Sequence, residues 1–268
     1  MEYGRVAEAY EKMEKTRKRL ELIDILTKLL ADTPTEIIEK IVYLTQGKIK
    51  PDFYGIELGM SDKLVIRALE KTTSMSSNEI QEQYNKIGDL GEVTKIALEK
   101  KAQTTLIKQE LTVERVYKMF EDIATTTGHG SIEIKLAKLS GLLSDCSPIE
   151  GKYIIRTFTG ILRLGIADYT VLDALSIAFT NDKANRKYLE KAYNISGDLG
   201  KVAKTVAQEG LDELKKIKII VGNPIRPMLA ERLSSADEII NKIEGKVGIE
   251  YKLDGERLQI HLNKQIVK

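Results

Sequence analysis

The sequence predicts a mainly all-α chain: a duplicated helical domain with pseudo-twofold halves, followed by a short α+β piece. Three observations carry that prediction. From Tyr3 to about Leu214 apolar residues recur at spacings of three and four, as in Leu20, Ile23, Leu26, Leu29 and Leu30 and again in Leu136, Leu139, Leu142 and Leu143. That is the period of helices with one buried face. Within this stretch the sequence contains itself twice. Tyr84-Asn85 followed by Gly88-Asp89-Leu90-Gly91-Glu92-Val93 returns 109 residues later as Tyr193-Asn194 followed by Gly197-Asp198-Leu199-Gly200-Lys201-Val202. Leu58 to Asp62 returns at Leu164 to Asp168, an offset of 106, and Leu29 to Asp32 at Leu142 to Asp145, an offset of 113. The drop between these two offsets reflects a longer first loop, Gly47 to Gly59 against Gly160 to Gly165. Beyond Leu214 the period changes from helical to alternating, which marks the α+β piece.

Taken in order, the helical stretch breaks at Thr33-Pro34, Gly47 to Gly59, Ser147-Pro148 and Gly160 to Gly165, giving ten or more short helices. The expected halves are about 1–105 and 110–215, with the α+β piece at 216–268. Pro224 and Pro227 fall just after Lys218 to Gly222 and read as a domain junction. Ser235 and Glu238 fit a capping box opening a helix through about Glu244, which Gly245 ends. Val247, Ile249, Tyr251 and Leu253 then alternate with Gly248, Glu250, Lys252 and Asp254. This predicts a strand with one buried apolar face, Glu250 and Lys252 sharing the other. Asp254-Gly255 predicts a hairpin turn into a strand bearing Leu258, Ile260 and Leu262, with Lys252 opposite Arg257 and Glu250 opposite Gln259.

Composition bounds the function. At 268 residues the chain can bury a real core, and no apolar run reaches membrane length. The single cysteine, Cys146, excludes internal disulfides and multi-cysteine metal sites and fits a cytoplasmic protein. With only His129 and His261, no histidine-rich metal site is available, and no metal-ligating residues are singled out. The net charge is only +2, so nucleic-acid binding has to rest on local patches.

Two pairs of loops offer such patches. Gly47-Lys48-Ile49-Lys50 answers Gly160-Ile161-Leu162-Arg163-Leu164-Gly165: glycines permit close backbone approach and the cations meet phosphates. Thr126-Thr127-Gly128-His129-Gly130-Ser131 precedes a helix carrying Lys135 and Lys138, where free amides and hydroxyls can hold a phosphate. Its counterpart is Thr16-Arg17-Lys18-Arg19. Helix capping beside a solvated basic face is the alternative reading of each. At the other end, Glu250-Tyr251-Lys252-Leu253-Asp254-Gly255-Glu256-Arg257 sets a lysine near a second cation, which favours the neutral, nucleophilic amine.

These residues resemble a known family. Lys252 to Arg257 is similar to the K-x-D-G-x-R motif of ATP-dependent nucleotidyltransferases, and Pro224 to Ala230 resembles the segment preceding that lysine in ATP-dependent DNA ligases. Gly47-Lys48-Ile49, Gly88 to Gly91, Thr126 to Ser131 and Leu162 to Gly165 resemble the helical DNA-binding domain of archaeal and eukaryotic members. The resemblance covers essentially the whole chain. It implies that Lys252 takes AMP from ATP, that Glu250 recognises adenine and that Arg257 contacts the sugar and phosphate side, with Mg²⁺ stabilising phosphoryl charge. AMP then passes to the 5′-phosphate of a nick. It also implies a grip on nicked double-stranded DNA by Gly47, Lys48, Lys50, Thr127, Gly128, Gly130, Ser131, Gly160, Arg163 and Gly165.

Gln103 to Ile107 lies where some archaeal ligases carry a sliding-clamp contact, but Leu106 and Ile107 stand where that contact is usually aromatic, and a plain linker is the other reading. The later catalytic motifs are absent before Lys268, so the expectation is a chain that binds DNA without sealing nicks. An RNA ligase or capping-type nucleotidyltransferase, and a non-catalytic DNA-binding scaffold, are the alternatives.

Overall fold

Local chemistry starts and stops the helices where the sequence places its breaks. The computed structural model describes residues 1–100, 110–227, 231–243, 245–256, 258–263 and 266–267. The first group of helices is α1 (Tyr3–Glu14), α2 (Arg19–Ala31), α3 (Ile38–Thr45), α4 (Asp62–Thr72), α5 (Ser77–Ile87) and α6 (Leu90–Glu99). The second is α7 (Val113–Thr125), α8 (Ser131–Asp145), α9 (Pro148–Phe158), α10 (Asp168–Thr180), α11 (Arg186–Ser196), α12 (Leu199–Gln208) and the short α13 (Leu211–Leu214). Full capping boxes open α5 (Ser76 with Glu79) and α9 (Ser147 with Glu150, Pro148 following). Gly88 and Gly197 close α5 and α11 at φ of 71° and 67°, a left-handed conformation that glycine adopts without steric cost.

One continuous apolar cluster runs through both groups, from Tyr3 and Val6 of α1 to Val202 and Val206 of α12. Helices of one group pack on helices of the other: α4 on α8, α6 on α9, α10 on α2 and α12 on α3. The N-terminus is tied in by backbone, Tyr3 donating to Leu111 O at 2.7 Å and Val113 to Met1 O at 2.9 Å. The heaviest packing runs across the groups, so neither folds its apolar faces away alone.

The segment after α13 departs from expectation. Helix α14 spans Ala236–Lys242, and Ser235 accepts from Glu238 N as expected of its cap. The return half of the box shifts by one residue: Glu238 accepts from Ser234 N at 3.0 Å instead of Ser235 N. Among the described residues the predicted hairpin around Asp254-Gly255 is not formed. Ile249, Tyr251 and Leu253 are 93%, 94% and 84% exposed. Among the described residues, strand pairing is confined to Leu262–Asn263 against Ile266–Val267 and one bridge, Glu2 with Thr112. An alternating segment becomes a strand only when a ladder and an apolar surface take up its two sides, and among the described residues neither lies beside this segment. Gln259 instead accepts from Ile225 N and donates to Ile225 O at 2.9 and 2.5 Å, and His261 Nδ1 accepts from Gly222 N, so 259–261 lies against the proline junction.

Candidate nucleic-acid interface

The repeated Gly-Asp-Leu-Gly turns are locks between helices rather than surface loops. Asp89 caps α6 through Gly91 N and Glu92 N, and Asp198 caps α12 through Lys201 N. Each cap also receives a side chain from the opposite group: Arg156 donates to Asp89 Oδ2 at 2.7 Å, and Tyr43 donates to Asp198 Oδ1 at 2.7 Å. The second glycine of each turn makes room for that partner. A Cβ on Gly91 would lie 2.6 Å from Arg156 Cγ and 2.8 Å from Lys152 O, and one on Gly200 would enter the Tyr43 ring.

Around Arg156 the lock widens into a buried ion network. Lys152 and Arg156, one turn apart on α9, are both 2% exposed and meet Glu11 and Glu14 of α1 and Asp89 and Glu92 of α6. Burial opposes ionisation of Glu14, but hydrogen bonds from Arg156, Lys152 and Tyr153 outweigh it and hold its carboxyl at about 2. Glu11 and Asp89 are lowered by the same balance.

The loop bearing Arg163 hangs from this lock. Gly160 and Gly165 bound it at φ of 70° and 66°, and Arg163 itself sits at φ of 56°. A non-glycine residue held there is strained. Arg163 Nε lies 3.5 Å from Asp89 Oδ2 and its Nη2 donates to Gly88 O at 3.3 Å, with the side chain half exposed. Gly47, at φ of 72°, turns the chain after α3 in the same way. Lys48 pairs with Asp52 at 2.8 Å and Lys50 lies 3.7 Å from Glu121. Tyr117 anchors the loop by donating to Ile49 O. Lys48 and Gln46 line one open depression together with Arg163, Gly165 and Asp168, so the two glycine-bounded loops converge. Gly160 faces a neighbouring hollow with Gly47 and Lys48.

Asp168, the first residue of α10, ties this depression to the proline junction. It accepts from Gln46 Nε2 at 2.8 Å and from Tyr193 Oη at 2.7 Å, and Arg226 Nη2 lies 3.1 Å away. Arg226 also stacks 4.2 Å from the Tyr193 ring centroid and donates its backbone N–H to Asn194 O. Sequence reasoning did not single out Asp89, Arg156, Asp168 or Arg226. The signal for Arg156 was present: two cations four apart, Lys152 and Arg156, interleaved with Tyr153, Ile154, Ile155 and Phe158 in one helix.

The other predicted residues lie apart from the depression. Thr127, Gly128 and Gly130 are exposed before α8, which begins at Ser131 with Gly130 in a left-handed conformation and no side-chain cap. Lys138 is drawn to Asp122 at 3.3 Å. Lys252 is 92% exposed, with Asp254 Oδ1 at 4.0 Å, and Glu250 is exposed beside it. Arg257 and the Gln103 to Ile107 segment lie outside the described residues. Among the described residues, no group of three or more His, Cys, Asp or Glu side chains is placed to hold a metal, and no helix is long and apolar enough to cross a membrane.

Comparison with known proteins finds two matching regions. Residues 2–176, which include both glycine-bounded loops, match the family model described as the DNA ligase N terminus. Residues 227–268, which include Lys252, match the ATP-dependent DNA ligase domain. The chain is 52% identical over 262 residues to a DNA ligase of Nitrosopumilus maritimus, covering 98% of this chain and 45% of that protein. It is 47% identical over 264 residues to a probable DNA ligase of Aquifex aeolicus (97% and 44%), and 44% identical over 269 residues to a DNA ligase of Saccharolobus solfataricus (97% and 45%). The chain thus spans a little under half the length of these relatives. By the match of its N-terminal two-thirds and of the segment around Lys252, the chain belongs to the ATP-dependent DNA ligase family.

Proposed function

We propose that this chain is the part of an ATP-dependent DNA ligase that grips nicked duplex DNA and carries the lysine that accepts AMP. The observation that carries the grip is the convergence of two glycine-bounded basic loops, one bearing Lys48 and the other Arg163, on a single depression. Two cationic loops at fixed separation suit the phosphate backbone and carry no base readout, so the grip is independent of sequence. Gly47, Lys50, Gly160 and Gly165 shape these loops, and Thr127, Gly128, Gly130 and Ser131 supply a further phosphate contact.

The two helical groups are pseudo-twofold copies, residues 1–105 and 110–215, in this reading. The pairing of α4 with α8 mirrors that of α10 with α2, and α6 with α9 mirrors α12 with α3. Lys252 takes AMP from ATP, Glu250 and Arg257 recognise the nucleotide, and the nick is then sealed through an adenylylated 5′-phosphate. Magnesium would stabilise charge on the nucleotide phosphates. Lys252 and Glu250 stand exposed and unenclosed, so the 268 residues bind DNA without sealing it. A sliding clamp is the partner proposed for Gln103 to Ile107.

Titrating nicked duplex across a range of salt tests the grip. Arg163→Ala is expected to lower affinity at low salt, with the difference shrinking as salt rises. Absence of duplex binding by the unsubstituted chain would remove the reading. For the nucleophile, a chain extended through the remainder of the ligase domain is incubated with labelled ATP. Equal labelling of that protein and its Lys252→Ala variant would sink the assignment.

A further inference from the structure

The proline junction does not pass freely from the helices to the lysine segment. Its backbone crosses Gly197 so closely that a Cβ there would lie 2.7 Å from Pro224 O. Arg226 then closes on α10 and α11. Its Nη2 lies 3.1 Å from Asp168 Oδ2, and Nη1 donates to Tyr193 Oη at 2.6 Å. The guanidinium stacks 4.2 Å from the Tyr193 ring centroid, and the backbone N–H donates to Asn194 O at 2.9 Å. A planar, charged fork held by an ion pair, a stacked ring and its own backbone has one defined geometry.

The same junction holds the chain on the far side of Lys252. Gln259 pairs with both the N–H and the C=O of Ile225, and His261 Nδ1 accepts from Gly222 N. Lys252 therefore stands seven residues before a side chain bonded to Ile225, the neighbour of Arg226. Seven residues span at most about 25 Å, so the clasp limits how far the lysine strays from the helices. Asp168 also lines the depression between the glycine-bounded loops, so the clasp attaches at the edge of the grip. The helices themselves do not need it. The tyrosine and aspartate that recur in the sequence make the same link in the first group, where Tyr84 donates to Asp62 Oδ2 at 2.9 Å and the link stands without Arg226. Arg226 is an addition to that helix contact, made by the segment that leads to the lysine.

We propose that Arg226 is a positioning residue for the reaction at the nick: its clasp on Asp168 and Tyr193 holds the lysine segment to the helices that grip the duplex. The inference rests on the function proposed above and deepens it. In loading, a bond forms from Lys252 Nζ to the α-phosphorus of ATP, the bond from that phosphorus to the bridging oxygen breaks, and pyrophosphate leaves with the electron pair while the amine gives up a proton. In transfer, an oxygen of the 5′-phosphate attacks the same phosphorus, and the lysine nitrogen leaves with its electron pair and takes up a proton. Loading needs only ATP and the ligase domain. Transfer needs the lysine and the gripped nick together, and a short anchored tether raises their effective concentration. Arg226 therefore acts on transfer and not on loading.

The test separates the two steps in the chain extended through the remainder of the ligase domain. Unsubstituted protein and Arg226→Ala are loaded with labelled ATP, freed of it and mixed with saturating nicked duplex, and the arrival of label on the 5′-phosphate is timed. Loading is expected at the same rate in both, and transfer about tenfold slower in the variant. Hydrogen exchange at the amide of position 226, bonded to Asn194 O, is expected to quicken alongside. Should Arg226→Ala not melt cooperatively, Arg226→Gln takes its place with the same expected outcomes. Equal transfer by the two proteins overturns the positioning role. So does an equal slowing of loading and transfer, which marks a general disturbance of the lysine segment. Failure of the unsubstituted protein to load or to transfer overturns the function proposed above and this role with it, and is told apart because it occurs before any substitution is made.

Discussion

The two Gly-Asp-Leu-Gly locks occupy matching places and use different chemistry. At Asp89 the partner is the Arg156 guanidinium, embedded with Lys152 among Glu11, Glu14 and Glu92. At Asp198 it is the Tyr43 hydroxyl, which also donates to Glu39 at 3.2 Å. The aspartate cap and the glycine that admits a close neighbour are common to both. The shared geometry shows that what is fixed is the approach of one helix group to the other. The difference shows that an ionic or a neutral partner can complete it. Only the ionic version also reaches a DNA-facing candidate, because Asp89 touches Arg163 as well as Arg156.

The largest contrast is expected from removing the partners. Arg156→Met strands Asp89 and Glu14 as buried or half-buried carboxylates, and a loss of about 3–5 kcal/mol is expected by denaturant titration. A loss below about 1 kcal/mol would show that water repairs the network.

Next come the glycines. Gly91→Ala and Gly200→Ala each place a methyl against an occupied position, at a cost of about 1–3 kcal/mol. Gly91→Ala is expected to cost more, since its clash includes the Lys152 carbonyl, whereas at Gly200 only a side chain must move. Melting temperatures in the reverse order would contradict that account.

Tyr43→Phe deletes one neutral donor, and Asp198 keeps its bond from Lys201 N, so about 1 kcal/mol is expected. A loss as large as that of Arg156→Met would mean that the two locks carry equal weight.

Acid should separate the locks by the most specific margin. Glu14 is held at about 2 against an ordinary 4.5, so its contribution is complete above pH 4.5 and is lost as pH falls toward 2. Glu14→Gln is expected to flatten the acid limb of stability against pH over that window while leaving the limb above pH 5 unchanged. An unaltered limb in that variant would assign acid sensitivity elsewhere.

Much of the helical architecture was legible because period and punctuation are local. Ser147-Pro148 with Glu150, and the glycines closing α5 and α11, specify helix ends through contacts within a few residues. The lysine motif was legible as a string of residue types. Its hairpin was not formed, since alternation declares two faces but supplies neither a ladder partner nor a surface to cover Ile249, Tyr251 and Leu253. Arg163 was singled out from its glycine-bounded loop and Arg19 within a basic run before α2, while Lys183 and Arg186 were not, because the partner they share with Arg19, Asp173, is distant from Arg19 in the chain.

The sequence by itself determined where helices begin and end, that a motif recurs, and which family the residue order resembles. Tertiary structure alone decided which charges are buried and which remain at a surface. Lys152 and Arg156 carry the same charges in sequence as Lys48 and Arg163, yet the first two are buried against carboxylates of α1 and the α6 start while the second pair stays at a surface. Helical period fixes the direction of a side chain from its own axis. What it meets there depends on elements brought across from the other end of the chain, and the free energy of a charge is set by that encounter.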